Sequence, residues 1–184
     1  MFLLILFLVC LFVVAGTGIL AALSDIRGLV IPNMYSVIII GVFFLCYIAM
    51  WLGGRDDVFA PLSSHLLSAL VIFLISLAMF MAKGIGGGDS KLATAFAFWM
   101  GLKGLIAFVF YMSLAGGLVA LIGLALRKWK PFRIKRGQAK TWVARVQRGE
   151  SKVPYGVAIV AGALASFLKI GYFDSEVLSS FILN

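Results

Sequence analysis

Long uncharged runs, separated by short polar breaks, set the pattern of the chain. Residues 2–23 are apolar throughout and as a helix would rise about 33 Å, enough to cross a bilayer core. The run ends at Ser24-Asp25-Ile26-Arg27-Gly28. Pro32 then biases Ile31 away from helical angles, so a turn is expected before a second span at 34–52. A polar loop at 53–64 carries Arg55, Asp56, Asp57 and Pro61, and the third span follows at 66–82. The next break, Lys83-Gly84-Ile85-Gly86-Gly87-Gly88-Asp89-Ser90-Lys91, has four glycines in five positions. It suits neither a helix interior nor a strand, and it lets backbone bend or another chain approach. From 92 to 126 the chain is apolar again, interrupted only by Lys103-Gly104. One helix of that length would be about 52 Å, more than a bilayer needs. Two spans meeting in a tight turn at Lys103 are therefore expected, the fourth starting near Asp89. A sixth span is expected at 154–173, with Pro154 in its first turn. In the tail, 174–184, Val177, Leu178, Phe181 and Ile182 recur at helical spacing and suit an interfacial helix. The pattern predicts an all-α polytopic membrane protein of about six transmembrane helices, forming one domain over 1–184.

Composition agrees: 63% of the residues are hydrophobic and 12% charged, against about half and about a quarter in soluble domains. The net charge of +9 raises the question of nucleic acid. Ten of the sixteen Lys and Arg lie within 127–152, beside a span, a placement that fits topology and anionic headgroups rather than nucleic acid. With two spans in 92–126, Arg27, Lys83, Lys91 and that basic loop share one side, leaving Arg55, Lys103 and Lys169 on the other. The positive-inside rule then puts the N-terminus outside and the loops 24–33, 83–91 and 127–152 in the cytoplasm. The first run lacks a basic leader and is long for a signal peptide, so it is taken as a retained span. Cys10 and Cys46 form no Cys-x-x-Cys pair and are expected as buried small hydrophobes. His65 is expected as a solvated loop residue, and Trp51, Trp99 and Trp129 as an interfacial aromatic belt. Neither a metal site nor a cofactor is expected.

Of the seven acidic residues, Asp56, Asp57, Asp174 and Glu176 fall on the external side and Glu150 lies inside the basic loop. Asp25 and Asp89 alone sit at the cytoplasmic ends of spans, one closing the first and one opening the fourth. Acids at a bilayer edge are costly and suggest function. Two at one depth suit an aspartyl protease, in which one carboxylate takes a proton from water while its protonated partner polarises the peptide carbonyl. Interfacial ion pairs with Arg27 and Lys91 are the plain alternative. A small transporter or channel subunit using both aspartates for ion or proton coordination is the rival function, and a catalytically silent assembly factor is a third. Helix-end fields, with Lys91 nearby, are expected to favour the Asp89 anion and to keep the proton on Asp25.

Three segments carry a resemblance: Ser24-Asp25-Ile26-Arg27 leading to Ile31-Pro32-Asn33, then Gly86-Gly87-Gly88-Asp89-Ser90-Lys91-Leu92, then Val153-Pro154-Tyr155-Gly156-Val157-Ala158. In order and spacing they resemble type IV prepilin peptidases, Gly-x-Gly-Asp membrane aspartyl proteases, and most of all the short Tad-type enzymes that process Flp pilins. The resemblance implies Asp25 and Asp89 as the catalytic pair, with Gly86 and Gly88 as backbone motif residues. Arg27, Asn33 and Lys91 are implied as supporting residues around the pair. It implies cleavage of the basic leader of a Flp-type prepilin, typically after a glycine, at the cytoplasmic face of a bacterial or archaeal inner membrane. Larger members carry paired Cys-x-x-Cys motifs associated with N-methylation; these are missing here, so no methyltransferase activity is expected. Anionic lipid headgroups are the expected partners of 127–152, for which a part in positioning substrate is also considered.

Overall fold

A computed structural model describes residues 1–129 and 141–183, with side chains through Phe181. Its helices are α1 (Phe2–Gly28), α2 (Asn33–Leu52), α3 (Leu62–Met81), α4 (Gly87–Trp129), α5 (Trp142–Gln147), α6 (Tyr155–Ile170) and α7 (Ser175–Leu183). In hydrocarbon every backbone polar group needs a partner within the protein, which apolar helices supply from themselves. Three of the four prolines mark where helices begin: Pro32, Pro61 and Pro154 are the N-caps of α2, α3 and α6. Proline tolerates that position because its missing N–H would be unpaired there anyway.

Among the described residues, the count of long apolar helices differs from the expectation of six. Four helices, α1 to α4, are long and apolar enough to cross a membrane, and the pair α6 and α7, bent by 70°, makes a fifth if taken together. The expected fourth and fifth spans are both contained in the 43-residue α4, which is broken at Gly101 (φ 56°, ψ −179°) rather than at Lys103. Its two limbs run antiparallel. Asp89 and Ala93 share a cavity with Met112, Gly116 and Ala120, whereas a straight helix would put residues 89 and 120 about 46 Å apart. Helix α6 confirms the reversal. Its neighbours in the second limb run backwards, Ala158 by Gly116 and Ile170 by Gly104, while Tyr172 reaches the Trp99 carbonyl at the end of the first.

A break in a buried helix frees backbone groups, and here side chains recapture them. The Ser68 hydroxyl donates to the Ala97 carbonyl at 2.9 Å, and the Tyr172 hydroxyl to the Trp99 carbonyl at 2.6 Å. His65 Nδ1 lies 2.6 Å from the Phe98 carbonyl and, facing an acceptor, is the donor. The freed Leu102 N–H donates to Ser64 Oγ at 2.9 Å. His65 is thus only 1% exposed and is a buried part of the hairpin, not the solvated loop residue expected. Around it Phe43, Tyr47 and Phe59 close this end of the bundle with ring contacts.

Trp99 is likewise not a belt residue. It is fully buried, and its indole N–H donates to the Ile39 carbonyl at 3.1 Å; Trp51 and Trp129 are exposed. Cys10 and Cys46 are buried free thiols. The tail helix α7 packs on the bundle rather than only lying along an interface: Phe181 stacks on Phe7, and the Arg55 guanidinium sits over the Phe181 ring while donating to Ser180 Oγ. Within the expected basic loop, α5 is a short helix whose Trp142 indole donates to the Lys152 carbonyl. Residues 130–140, with much of the charge expected to meet lipid headgroups, lie outside the described residues.

Candidate active site

Helix α1 runs past its expected end and includes Asp25, closing at Leu29 in a left-handed conformation (φ 53°, ψ 40°) whose N–H bonds the Asp25 carbonyl. The Ser24 hydroxyl donates to the Val30 carbonyl across the same turn. The turn thereby directs Ile31 back into the bundle, where it is buried. Asp25, only 4% exposed, faces inward from the last turn of α1.

Both aspartates are seated on glycine backbone. The Gly156 N–H, in the first turn of α6, donates to Asp25 Oδ2 at 2.7 Å. The Gly86 N–H, just before α4, donates to Asp89 Oδ2 at 2.9 Å. A Cβ on either glycine would stand 2.9 Å from the very oxygen it binds, closer than side chains pack, so the seat exists because the side chain is absent. Gly88 meets another need. A Cβ there would lie 3.1 Å from Ile31 Cβ and 3.2 Å from its carbonyl oxygen. Ile31 also reaches Gly156, where a Cβ would stand 2.9 Å from Ile31 Cδ1. One buried isoleucine therefore spaces the two glycine-bearing helix ends.

Asp25 and Asp89 line a single cleft of about 710 Å³ at this end of the bundle, with Gly86, Lys83, Ser151, Lys152 and Tyr155 also in its wall. The loops 24–33, 83–91 and the end of the basic segment therefore meet at one end, as the charge pattern predicted. Asp89 Oδ1 is buried and without a hydrogen-bond partner among the described residues. Among the described residues no three His, Cys, Asp or Glu side chains are gathered to hold a metal ion.

The implied supporting residues separate. Lys91 Nζ donates to Asn33 Oδ1 at 3.0 Å, tying the start of α4 to the start of α2, so its ammonium is engaged with Asn33. Arg27 is exposed and is not part of the cleft wall. Ile31 and Gly156 had no role assigned from the sequence. Both stand in the quoted segments, but an apolar residue and a glycine in short motifs carry no chemical signal until their neighbours are known. Ser90, next to Asp89, pairs with the Ser76 hydroxyl of α3 at 2.7 Å.

Fold and site together define a multi-pass helical membrane protein with two carboxylates seated in one cleft at the end of its bundle. Residues 2–121 match the type IV leader peptidase family, and the chain belongs to that family. It is 29% identical over 152 residues to a protein of Bacillus subtilis (strain 168) named prepilin leader peptidase/N-methyltransferase. The alignment covers 82% of this chain and 51% of that protein, so the chain spans about half the length of the curated relative it matches. No solved structure matches.

Proposed function

We propose that this chain is a membrane aspartyl endopeptidase that removes the leader of a prepilin at the cytoplasmic face, with Asp25 and Asp89 as its catalytic pair. The observation that supports this most is the shared cleft, in which the two acids from distant segments face one space. Two carboxylates in one site share a proton. The ionised member takes a proton from water, whose oxygen adds to the scissile carbonyl carbon. The protonated member donates to the carbonyl oxygen. The resulting diol collapses as the C–N bond breaks, the amine leaves with a proton, and the pair regains its single-proton state. One carboxylate oxygen of each acid is held by a glycine N–H. That seats both carboxylates and leaves Asp89 Oδ1 without a hydrogen-bond partner among the described residues.

The site lies where such a bond would lie. A prepilin has a polar leader ahead of an apolar helix, so its scissile bond is at the membrane interface; both acids are within the terminal turns of their helices. A transporter would be expected to hold its acids near mid-depth, at broken helices. The break in α4, at Gly101, is instead at the opposite end from the acids. The positive-inside asymmetry supports the cytoplasmic face, and the resemblance to prepilin peptidases supports a bacterial or archaeal inner membrane. The compact Asp-x-Arg…Ile-Pro-Asn form supports a Flp-type prepilin as substrate.

Co-expression with a Flp-type prepilin, followed by its size on a gel, tests this. Wild type is expected to shorten the prepilin. Asp25→Asn and Asp89→Asn, at equal protein level, are each expected to abolish the shift. Processing that continues in either variant removes that acid from the mechanism.

A further inference from the structure

A second cavity, about 440 Å³, opens directly off the cleft. Ile85, Asp89 and Tyr155 line both spaces, so Asp89 stands at the junction. The two are opposite in character. The cleft has Lys83, Lys152 and Asp25 in its wall, whereas among the described residues Asp89 is the only charged one in the wall of the second cavity. Ile75 and Met79 of α3 form one side, Met112 and Gly117 of the second limb of α4 the other. Ile75 and Met79 are about half exposed, so the cavity is open laterally toward lipid between these two helices. At Gly117 a Cβ would meet nothing within 4 Å; the glycine widens the space without being required by any neighbour.

We propose that this apolar cavity holds the first apolar turn of the substrate on the C-terminal side of the scissile bond, while the cleft holds the polar leader. This rests on the peptidase reading above and deepens it. The peptide runs from the Lys152 side of the cleft, across Asp89, and into the space between Ile75 and Gly117. An apolar helix can enter sideways from the bilayer there, and small residues along Gly116, Gly117 and Ala120 let a helix approach closely. Its volume is within the roughly 300–1,000 Å³ of ligand sites. The boundary between polar and apolar walls at Asp89 then selects the bond: a peptide is in register only where its own polarity changes.

The test is a size swap in the full-length protein. The probe is a synthetic prepilin segment with a polar leader, a glycine at the junction, and an uncharged apolar helix of about 20 residues. Gly117→Leu is expected to raise KM about tenfold or more with kcat nearly unchanged, the effect of filling space that one apolar side chain would occupy. Trimming the first large apolar residues after the junction to Ala should restore KM to Gly117→Leu but not improve the wild type. A merely structural defect would not be rescued in this way. As an independent measurement, a benzophenone amino acid at Met79 in the Asp89→Asn protein should crosslink to probe residues C-terminal of the junction. Crosslinks to leader residues only, or to lipid only, overturn the proposal. So does an unchanged KM in Gly117→Leu while the wild type cleaves normally, which leaves the peptidase reading standing. If the wild type does not cut the probe, both fall.

Discussion

The two ends of this bundle treat backbone and side chains in opposite ways. At the closed end, α4 breaks at Gly101, and Ser64, His65, Ser68 and Tyr172 capture the backbone groups that the break releases. Aromatic rings then fill the remaining space. At the open end the roles reverse: backbone N–H groups of Gly86 and Gly156 capture side chains, the two aspartates, and the missing side chains leave a cleft. Buried polar groups are satisfied almost everywhere in folded proteins. Exceptions occur at both ends: Asp89 Oδ1 at the open end and His65 Nε2 at the closed one are buried and without a hydrogen-bond partner among the described residues. A hairpin clamped at one end can hold two helix termini in register at the other without filling the space between them.

Substitutions at the two ends should therefore read out differently, activity at the open end and stability at the closed one. The largest effect is expected from Asp25→Asn and Asp89→Asn, each reducing the leader-cleavage rate by at least about a hundredfold, the scale of a lost acid or base. Protein level and thermal denaturation in detergent should hold. Next is Gly156→Ala. Its methyl would stand 2.9 Å from both Asp25 Oδ2 and Ile31 Cδ1, so Asp25 must move, and kcat should fall about tenfold, as sub-ångström misplacement of a reacting group does. Activity retained with full kcat would show that the seat is not needed to aim Asp25.

At the closed end, Gly101→Ala puts a side chain at φ 56°, ψ −179° and 3.3 Å from His65 Cε1. Strain of this kind is about 1–3 kcal/mol, so a lower melting temperature is expected, with the cleavage rate per folded molecule nearly unchanged. The smallest effect concerns the 53–64 loop, whose Arg55 holds the tail helix. The Arg55 guanidinium bonds Asp57 at 2.8 Å and holds its carboxyl below the usual carboxylate range. A carboxyl depressed on folding contributes stability above its unfolded value, near 3.9, that is lost as pH falls through its folded value. Asp57 is more than half exposed, so the pair is worth about 0–1 kcal/mol. Asp57→Asn should flatten a slight loss of melting temperature on acidification below about pH 4, leaving cleavage at neutral pH unchanged.

Much of this was legible in the chain. Uncharged runs long enough to cross a bilayer dictate helices, because unpaired backbone cannot remain in hydrocarbon, and the prolines at 32, 61 and 154 mark three starts. The side on which Arg27, Lys83, Lys91 and the basic segment gather already puts loops 24–33 and 83–91 at one face. Asp25 and Asp89, which line one cleft, could be picked from seven acids as candidates for the same reason: charge at a span end is costly. The reversal within 92–126 was legible from length alone. Its position was not, since the tight turn depends on partners in α3 that lie more than thirty residues away.

Depth and pairing along one dimension are thus properties of the sequence, because they follow from hydropathy and charge counted along the chain. Tertiary structure alone decided the rest. It buried His65 and Trp99, gave Lys91 to Asn33 instead of Asp89, and made Gly156 and Ile31 parts of the acid site. It also joined an apolar cavity to the cleft at Asp89. Each of these is a contact between helices, and a glycine or an isoleucine carries no sign of which neighbour will need its absence or its bulk until the helices meet.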